Sequence, residues 1–218
     1  MTIDNFTTNG LGWGNTHEDW GAVLLPENVI QAKHGIEILT KREVINGWRY
    51  KDDKTIWMSK QFSTGHMVSK DQWIYGEFYA DVTIPDFVGS WPAFWLYPMV
   101  DDGLHATNYD EVDFFEQFRK NWISRYQIQG NVHKNGRMTP RTKWVCTNRI
   151  RITGLWKENA ILMYVNGKLF HSVYGYDNVS HRAMNVLIGM GVGNWKPKLT
   201  NKSTMVIHEL KVNGRSII

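Results

Sequence analysis

Three acidic side chains, Glu111, Asp113 and Glu116, lie close together in the run DEVDFFE that begins at residue 110. Glu111 and Asp113 are two residues apart, so both project from the same face of a β-strand. Glu116 reaches that face only if the strand contains one extra residue, and we therefore expect a β-bulge at Phe114-Phe115. Like charges on one face repel each other, which is a cost that a purely structural strand would rarely accept.

Hydrolysis of a glycosidic bond is a reaction that uses such a cluster. A retaining glycosidase needs a carboxylate nucleophile and a carboxylic acid whose groups lie roughly 5–5.5 Å apart. Positions four apart on a strand are separated by roughly 13 Å of backbone, so the side chains must converge across a curved, concave sheet. Asp113 lies between the two glutamates and is expected to hydrogen-bond one of them and tune its pKa. On the spacing alone, an exposed acidic edge or a calcium site is an alternative.

The remaining sequence predicts the strands that must position these acids. Short segments of alternating apolar and polar residues are separated by turn residues, which is typical of an all-β sandwich or barrel. We predict strands at residues 35–39, 73–84, 91–96, 111–116, 126–133, 149–153, 160–165, 168–173, 183–188 and 205–212. Asn166-Gly167 predicts a tight hairpin turn. No segment has the period of an amphipathic helix, and we expect one catalytic domain over residues 1–218.

Several segments together resemble glycoside hydrolase family 16. The spacing E-x-D-x-x-E is the bulged form of that family's signature, which occurs in laminarinases, agarases, porphyranases and carrageenases. Further segments are similar to the family's strands and follow in the same order: residues 26–29 with 35–38, 75–78 before Pro85, 89–96, 151–156 with 164–167, and 191–195 with 206–212. The resemblance covers most of the chain from about Trp20 onward.

The resemblance implies a β-jelly-roll sandwich of two curved antiparallel sheets with an open cleft on the concave side. It implies that Glu111 is the nucleophile, Asp113 the assisting acid and Glu116 the general acid/base. The expected activity is retaining, endo-acting cleavage of internal β-linkages in a β-1,3-glucan or a β-galactan, with or without sulfate. This mechanism requires no cofactor and no metal at the site, and a structural calcium ion away from the cleft stays open.

Candidate sugar-binding residues flank the acidic strand. Trp91 and Trp95 share a face with the small Ala93 between them, which predicts a stacking platform for sugar rings. The predicted strand at 126–133 places Gln127, Gln129, Asn131 and His133 on one face, where they offer hydrogen bonds to hydroxyl groups. His133 also resembles the family histidine near the cleaved bond, and Trp122 is a further candidate for the cleft.

The charge distribution bears on the substrate. The chain has a net charge of +4, and residues 117–151 contain nine Lys or Arg and no Asp or Glu. Such a stretch is typical either of a solvated surface or of a site for an anionic partner. It favours a sulfated or otherwise anionic polysaccharide over a neutral one.

Two other classes of function are compatible with the composition. A non-catalytic carbohydrate-binding module has the same sandwich fold, although the intact acids argue against it. A nucleic-acid binder is suggested by the pI of about 9.1 and the eleven Trp, but no nucleic-acid motif supports it, so we expect neither a nucleic-acid nor a membrane partner. We expect a monomer that acts outside the cell, although residues 1–10 show no secretory signal. The single cysteine, Cys146, excludes an intramolecular disulfide.

Overall fold

The protein folds almost entirely into β-strands, as the alternating pattern predicts. The computed structural model describes residues 5–8, 16, 20–51, 54–98 and 110–216, and within these ranges it contains no α-helix. The strands are β1 (Phe6–Thr7), β2 (Ala22–Leu24), β3 (Val29–Ala32), β4 (Gly35–Lys51), β5 (Lys54–Thr64), β6 (His66–Trp73), β7 (Gly76–Thr83), β8 (Ser90–Tyr97), β9 (Glu111–Glu116), β10 (Gln127–Lys134), β11 (Arg137–Met138), β12 (Arg141–Trp144), β13 (Arg149–Lys157), β14 (Ala160–Val165), β15 (Lys168–Tyr174), β16 (Met184–Val192), β17 (Lys202–Val212) and β18 (Arg215–Ser216). Short 3-10 helices lie at Pro26–Asn28, Ile123–Tyr126 and Tyr176–Asn178.

These strands form two sheets. The cleft sheet has the order β1-β6-β16-β8-β9-β10-β11, with β12 also paired to β10. The outer sheet has the order β15-β14-β13-β7-β17-β4-β5-β2, with β18 paired to β17 and β3 to β4. Among the described pairings only β2 with β5 is parallel. The acidic strand β9 therefore lies inside the cleft sheet, between β8 and β10.

The core fills the space between the two sheets because each strand turns its apolar residues to one side. On β8, Phe94 and Leu96 are fully buried between the sheets, whereas Trp91 and Trp95 on the opposite face are only half-buried. The predicted faces of this strand are confirmed. Phe114 of β9 also points into the core, where its ring lies 5.2 Å from that of Phe94.

One predicted strand is wrong at its beginning. The sequence predicts a continuous strand over residues 73–84 with Ile74 on the core face, but a turn separates β6 from β7 at this point, and Ile74 is exposed. Tyr75 has φ 67° and Gly76 has φ 143°, so the backbone reverses where the pattern suggested extension. Tyr75 and Gly76 occupy the left-handed conformations that a tight turn demands.

The hairpin turn at Asn166-Gly167 is confirmed. Both residues have positive φ, 49° and 74°, as a two-residue turn between antiparallel strands requires. The strand on its N-terminal side, β14, begins and ends where the sequence predicts. The local sequence pattern is therefore enough to predict the hairpin of β14 and β15 at this edge of the outer sheet.

Two further features concern the cysteine and the helices. Cys146 is exposed, whereas a lone thiol is more often partly buried. Within the described ranges, no helix has the length and hydrophobicity that crossing a membrane would need.

The two sheets are in close contact where Gly154 of β13 faces Phe114. A Cβ atom at position 154 would overlap the Phe114 ring, so only glycine leaves room for the phenylalanine that the acidic strand inserts into the core. The same ring stacks on Phe78 at 5.3 Å. Contacts of Phe114 with the outer sheet, on the core side of β9, thus fix the position of this strand.

We expect Gly154→Ala to destabilise the fold by about 1–3 kcal/mol, because an added methyl overpacks a filled site. This loss exceeds the roughly 0.4–1 kcal/mol that alanine gains by restricting the unfolded chain. Urea denaturation of both proteins measures the difference. Thr153→Ala, a change on the adjacent, outward-facing position, is the control and is expected to have a much smaller effect. Equal stability of Gly154→Ala and the unmodified protein would contradict the close contact.

Candidate active site

The acidic strand contains the extra residue that the sequence predicts. Two adjacent residues of β8, Phe94 and Trp95, pair with Phe115 and Asp113 of β9, so Phe114 has no opposite residue on that side. This is the two-against-one pairing of a β-bulge. The predicted bulge is confirmed, and it returns the last acid of β9 to the face of the first two.

The neighbouring strand on the other side shows the same irregularity. On β10, Gln129 lies opposite Glu116 and Asn131 lies opposite Asp113, with only Gly130 between them. Gly130 points towards the outer sheet, where an added Cβ would come within 2.6 Å of a methionine sulfur. The bulge of β9 is therefore seen in its pairing with both neighbouring strands.

The three acids share one cavity of the cleft sheet. A cavity of about 200 Å³, here called the first cavity, is lined by Glu111, Asp113 and Glu116 together with Trp91 and Trp95. The sequence predicts this convergence, and the structure brings these five residues together. Ala93, between the two tryptophans, also lines the first cavity.

Specific hydrogen bonds hold the acids in place. The indole Nε1 of Trp91 donates to Oε1 of Glu116 at 2.8 Å. Glu111 and Asp113 share a hydrogen bond between their carboxyl groups. Trp91 therefore orients the last acid, and Asp113 orients the first, as the sequence predicts for the middle residue.

Burial raises the pKa of all three carboxyl groups. The pKa of Glu111 lies well above its usual value because of burial and then because of the nearby charge of Asp113. The pKa of Asp113 is also raised well above its usual value by burial and by the charge of Glu116. Burial raises the pKa of Glu116 as well, although the hydrogen bond from Trp91 opposes the shift. The cluster therefore retains protons at pH values where isolated carboxyl groups are ionised.

The acid that precedes the cluster has a different role. Asp110 is buried and accepts hydrogen bonds from Ser180 Oγ at 2.7 Å, the Asn135 backbone N–H at 3.0 Å and Lys134 Nζ at 3.1 Å. Although burial opposes the shift, these bonds hold the pKa of Asp110 below its usual value. It anchors the start of β9 and does not join the shared cavity.

His133 lies against the acids. Its Nε2 is 3.3 Å from Oδ2 of Asp113 and 4.0 Å from Oε2 of Glu111. The backbone N–H of Thr139 donates to Oδ1 of Asn131, which directs the Asn131 amide nitrogen to Nε2 of His133 at 2.7 Å. Because an amide nitrogen donates, Nε2 accepts in this arrangement. His133 is buried and contacts the carboxyl groups rather than the open cavity.

The predicted row of amides is divided by the structure. Gln127 and Gln129 line a second cavity of about 380 Å³, which also includes Glu116. Ile128 and Val132 face the core as predicted. Trp122 is 73% exposed and lines neither of the two cavities, so it is not brought to the acids, and its predicted sugar contact stays a prediction.

His66 is a site residue that the sequence analysis missed. It lines the first cavity, and its Nε2 accepts a hydrogen bond from Trp95 Nε1 at 3.3 Å. Burial lowers the pKa of His66 to about 3, so the imidazole is neutral in the physiological range. It packs over Gly189, where a Cβ would overlap the imidazole. No local signal connects His66 with a tryptophan 29 residues later, because their contact arises only through the intervening strand β16.

The wall of the first cavity also includes β2 and the residue Trp20 before it, which the sequence analysis did not implicate. Trp20 and Leu24 line the cavity and pack with Trp95 in a small apolar cluster on the cleft side of the sheet. Among the described residues, no group of three or more His, Cys, Asp or Glu is arranged to hold a metal ion. The structural calcium ion stays an untested prediction.

Comparison with known proteins places the chain among carbohydrate-active enzymes. The sequence profile described as glycosyl hydrolases family 16 matches residues 37–208. A curated relative, the clotting factor G alpha subunit of Tachypleus tridentatus, is 26% identical over 200 residues, which are 86% of this chain and 27% of that protein. The chain thus spans about a quarter of the length of this relative.

Solved structures share the fold. A LamA variant from Zobellia galactanivorans, in complex with laminaritriose and laminaritetraose, matches with a TM-score of 0.77 and 13% identity over 97% of this chain and 93% of that one. The kappa-carrageenase of Pseudoalteromonas carrageenovora, in complex with an oligotetrasaccharide of kappa-carrageenan, matches with a TM-score of 0.74 and 17% identity over 97% and 89%. These likenesses confirm the predicted jelly-roll fold.

Proposed function

Because the chain belongs to glycosyl hydrolases family 16, a family of O-glycosyl hydrolases, we propose that it cleaves internal β-linkages of a polysaccharide by a retaining double displacement. The observation that carries this proposal is the single cavity in which the bulge of β9 assembles Glu111, Asp113 and Glu116. Retaining hydrolysis needs two carboxyl groups that act on one glycosidic bond. The arrangement supplies these two groups and a third that adjusts them.

In the first step, the Glu111 carboxylate attacks the anomeric carbon while Glu116 gives its proton to the glycosidic oxygen. The bond between this carbon and the leaving oxygen breaks, and a glycosyl-Glu111 ester forms. In the second step, the Glu116 carboxylate takes a proton from water, the resulting nucleophile attacks the same carbon, and Glu111 is released. Two inversions at one carbon give net retention.

The hydrogen bonds of the site support these roles. Glu111 must be ionised to attack, whereas its hydrogen bond with Asp113 raises the pKa of Glu111 and lowers that of Asp113. The proton that the pair shares must therefore pass from Glu111 to Asp113 before the attack. Nε2 of His133, which accepts from the Asn131 amide, lies 3.3 Å from Oδ2 of Asp113. Glu116 must begin protonated, and its raised pKa serves this purpose. Asp113 and His133 act here as positioning residues.

The substrate we propose is a β-1,3-glucan or a β-galactan, with or without sulfate. The half-buried rings of Trp91 and Trp95 offer apolar faces on which a sugar can stack. An internal cleavage site is favoured because the three acids line a partly open cavity of the sheet and Glu116 also lines a second cavity beside it.

The stereochemistry of the first product tests the mechanism. Proton NMR spectra recorded within minutes of mixing the enzyme with laminarin, lichenan, agarose, porphyran or a carrageenan show the configuration of the new reducing end before it mutarotates. We expect the β-anomer first, from at least one of these polymers. The α-anomer first would exclude double displacement. Retarded migration of the protein in a polymer-containing gel, without any new reducing ends, would favour the carbohydrate-binding module instead.

A further inference from the structure

The second cavity, next to the acids, differs in composition from the first. It is about 380 Å³ in volume and is lined by polar side chains, among them Lys120, Asn121, Gln127, Gln129 and Thr142. Glu116 lines both cavities, but Glu111 and Asp113 line only the first. The two cavities therefore meet at the proposed proton donor.

Because different acids line the two cavities, each half of the substrate can be assigned to one of them. The sugar whose anomeric carbon is attacked must contact Glu111, and it therefore occupies the first cavity. The oxygen that leaves must contact Glu116, and the sugar attached to it continues on the other side of that residue. The second cavity is thus the place for the leaving-group sugar, an assignment that rests on the proposed function.

Two charged side chains line the second cavity. Among the described residues that line it, Lys120 is the one cationic side chain and Glu116 the one acidic side chain. Lys120 is exposed and forms no ion pair within the described part of the chain. The segment that contains Lys120, residues 117–151, has no Asp or Glu of its own.

One aromatic ring lies close to the ammonium group of this lysine. Its Nζ lies 6.0 Å from the ring centroid of Trp195. Trp195 is itself fixed, because its Nε1 donates to the carbonyl oxygen of Arg119 at 2.9 Å and its ring lies 5.9 Å from that of Trp91. Since Trp91 also holds Glu116, the lysine is connected to the proton donor through two packed indole rings.

We propose that the second cavity binds a leaving-group sugar that carries an anionic substituent, and that Lys120 is the residue that selects it. A sulfate ester and a carboxylate share the required chemistry, a negative charge with several acceptor oxygens. An ammonium group that has no carboxylate partner gains more from such a group than from a neutral hydroxyl. The neutral amides of Gln127 and Gln129 serve the hydroxyl groups of the same sugar.

The test compares Lys120→Met with the unmodified enzyme on matched polymers. Kappa-carrageenan or porphyran is compared with its chemically desulfated form, and carboxymethyl-curdlan with laminarin. We expect the ratio of kcat/KM on the anionic polymer to kcat/KM on its neutral partner to fall about tenfold, in line with the loss of one charge-assisted contact. A fall in this ratio for the sulfated pair alone identifies sulfate as the recognised substituent, and a fall for the carboxymethyl pair alone identifies a carboxylate. Lys120→Arg is expected to keep the ratio, and Lys168→Met on the exposed hairpin is the control.

The outcomes separate this inference from the proposed function. If the enzyme turns over and Lys120→Met leaves the ratio of kcat/KM values unchanged in both polymer pairs, Lys120 does not select the substituent. The proposed hydrolase activity is unaffected by that result. Absence of turnover on all polymers overturns the proposed function, and affinity electrophoresis then decides about the cavity. In that measurement, loss of retardation by the anionic polymer in Lys120→Met supports the site, and equal retardation of both proteins overturns it.

Discussion

Glu111→Ser is expected to lower kcat on a polysaccharide substrate by about 10⁴-fold or more, because it removes the group that forms the covalent bond to the sugar. Release of reducing ends measures this loss. Serine fits the space, since the glutamate side chain lines a cavity and is not packed in the core. The thermal stability of the variant is therefore expected to be equal to or higher than that of the unmodified protein, because one of three repelling carboxyl groups has gone.

A small external nucleophile sharpens this test. Azide added to Glu111→Ser is expected to restore part of the first step by attacking the anomeric carbon directly, which gives a glycosyl azide of the opposite configuration. Glu158→Ser, at an exposed position in the turn after β13, is the matched control and is expected to retain full activity. If Glu111→Ser hydrolyses polymer at an undiminished rate, Glu111 is not the nucleophile.

Glu116→Gln is expected to lower kcat on polysaccharide by about 10²–10⁴-fold, the usual contribution of a general acid. Glutamine keeps an oxygen that can accept from Trp91 Nε1, so the hydrogen bond at 2.8 Å is preserved and the defect is confined to proton transfer. An aryl glycoside with a good leaving group needs no proton, and its glycosyl-enzyme is expected to form at close to the normal rate. A burst of released aryl alcohol followed by slow turnover is the kinetic signature. An equal loss in the rate of glycosyl-enzyme formation from the polysaccharide and from the aryl glycoside would contradict the role of Glu116 as the acid.

The pH dependence of stability gives an independent test of the same residue. The pKa of Glu116 is raised in the folded protein, so its contribution to stability is present below the pKa of an unfolded glutamic acid and is lost as pH rises through the folded value. Glutamine has no proton to lose. The melting temperature of Glu116→Gln is therefore expected to gain on that of the unmodified protein as pH rises, and to show little advantage in acid. A constant difference at all pH values would show that Glu116 is not perturbed.

The acidic strand and its immediate neighbours were predictable because their information is local. Alternation fixes which side of a strand each residue faces, and the spacing of Glu111, Asp113 and Glu116 is compatible with one face only if a residue is inserted. The faces of Trp91 and Trp95 followed from the same rule. None of these inferences needed knowledge of which strands pair.

The rest of the site depends on pairing that no local pattern reveals. His66 meets Trp95 because β16 lies between β6 and β8, and this order follows from the packing of the whole sheet. The turn at Tyr75 was missed because a tyrosine at positive φ contradicts its own conformational preference. His133 was predicted as a sugar contact, and its burial against Asp113 depends on an amide whose orientation is set by Thr139.

Phe114, which has no residue opposite it on β8, also determines which insertions and deletions β9 can tolerate during evolution. Loss of one codon between Asp113 and Glu116 would leave a regular ladder in which the same acids still point the same way. Gain of one codon either turns the proton donor into the core or, in a regular strand, carries it roughly 7 Å further from its partner, at about 3.3 Å per residue. Insertions and deletions here are therefore not equivalent: the reaction centre can survive a shortened gene segment but not a lengthened one.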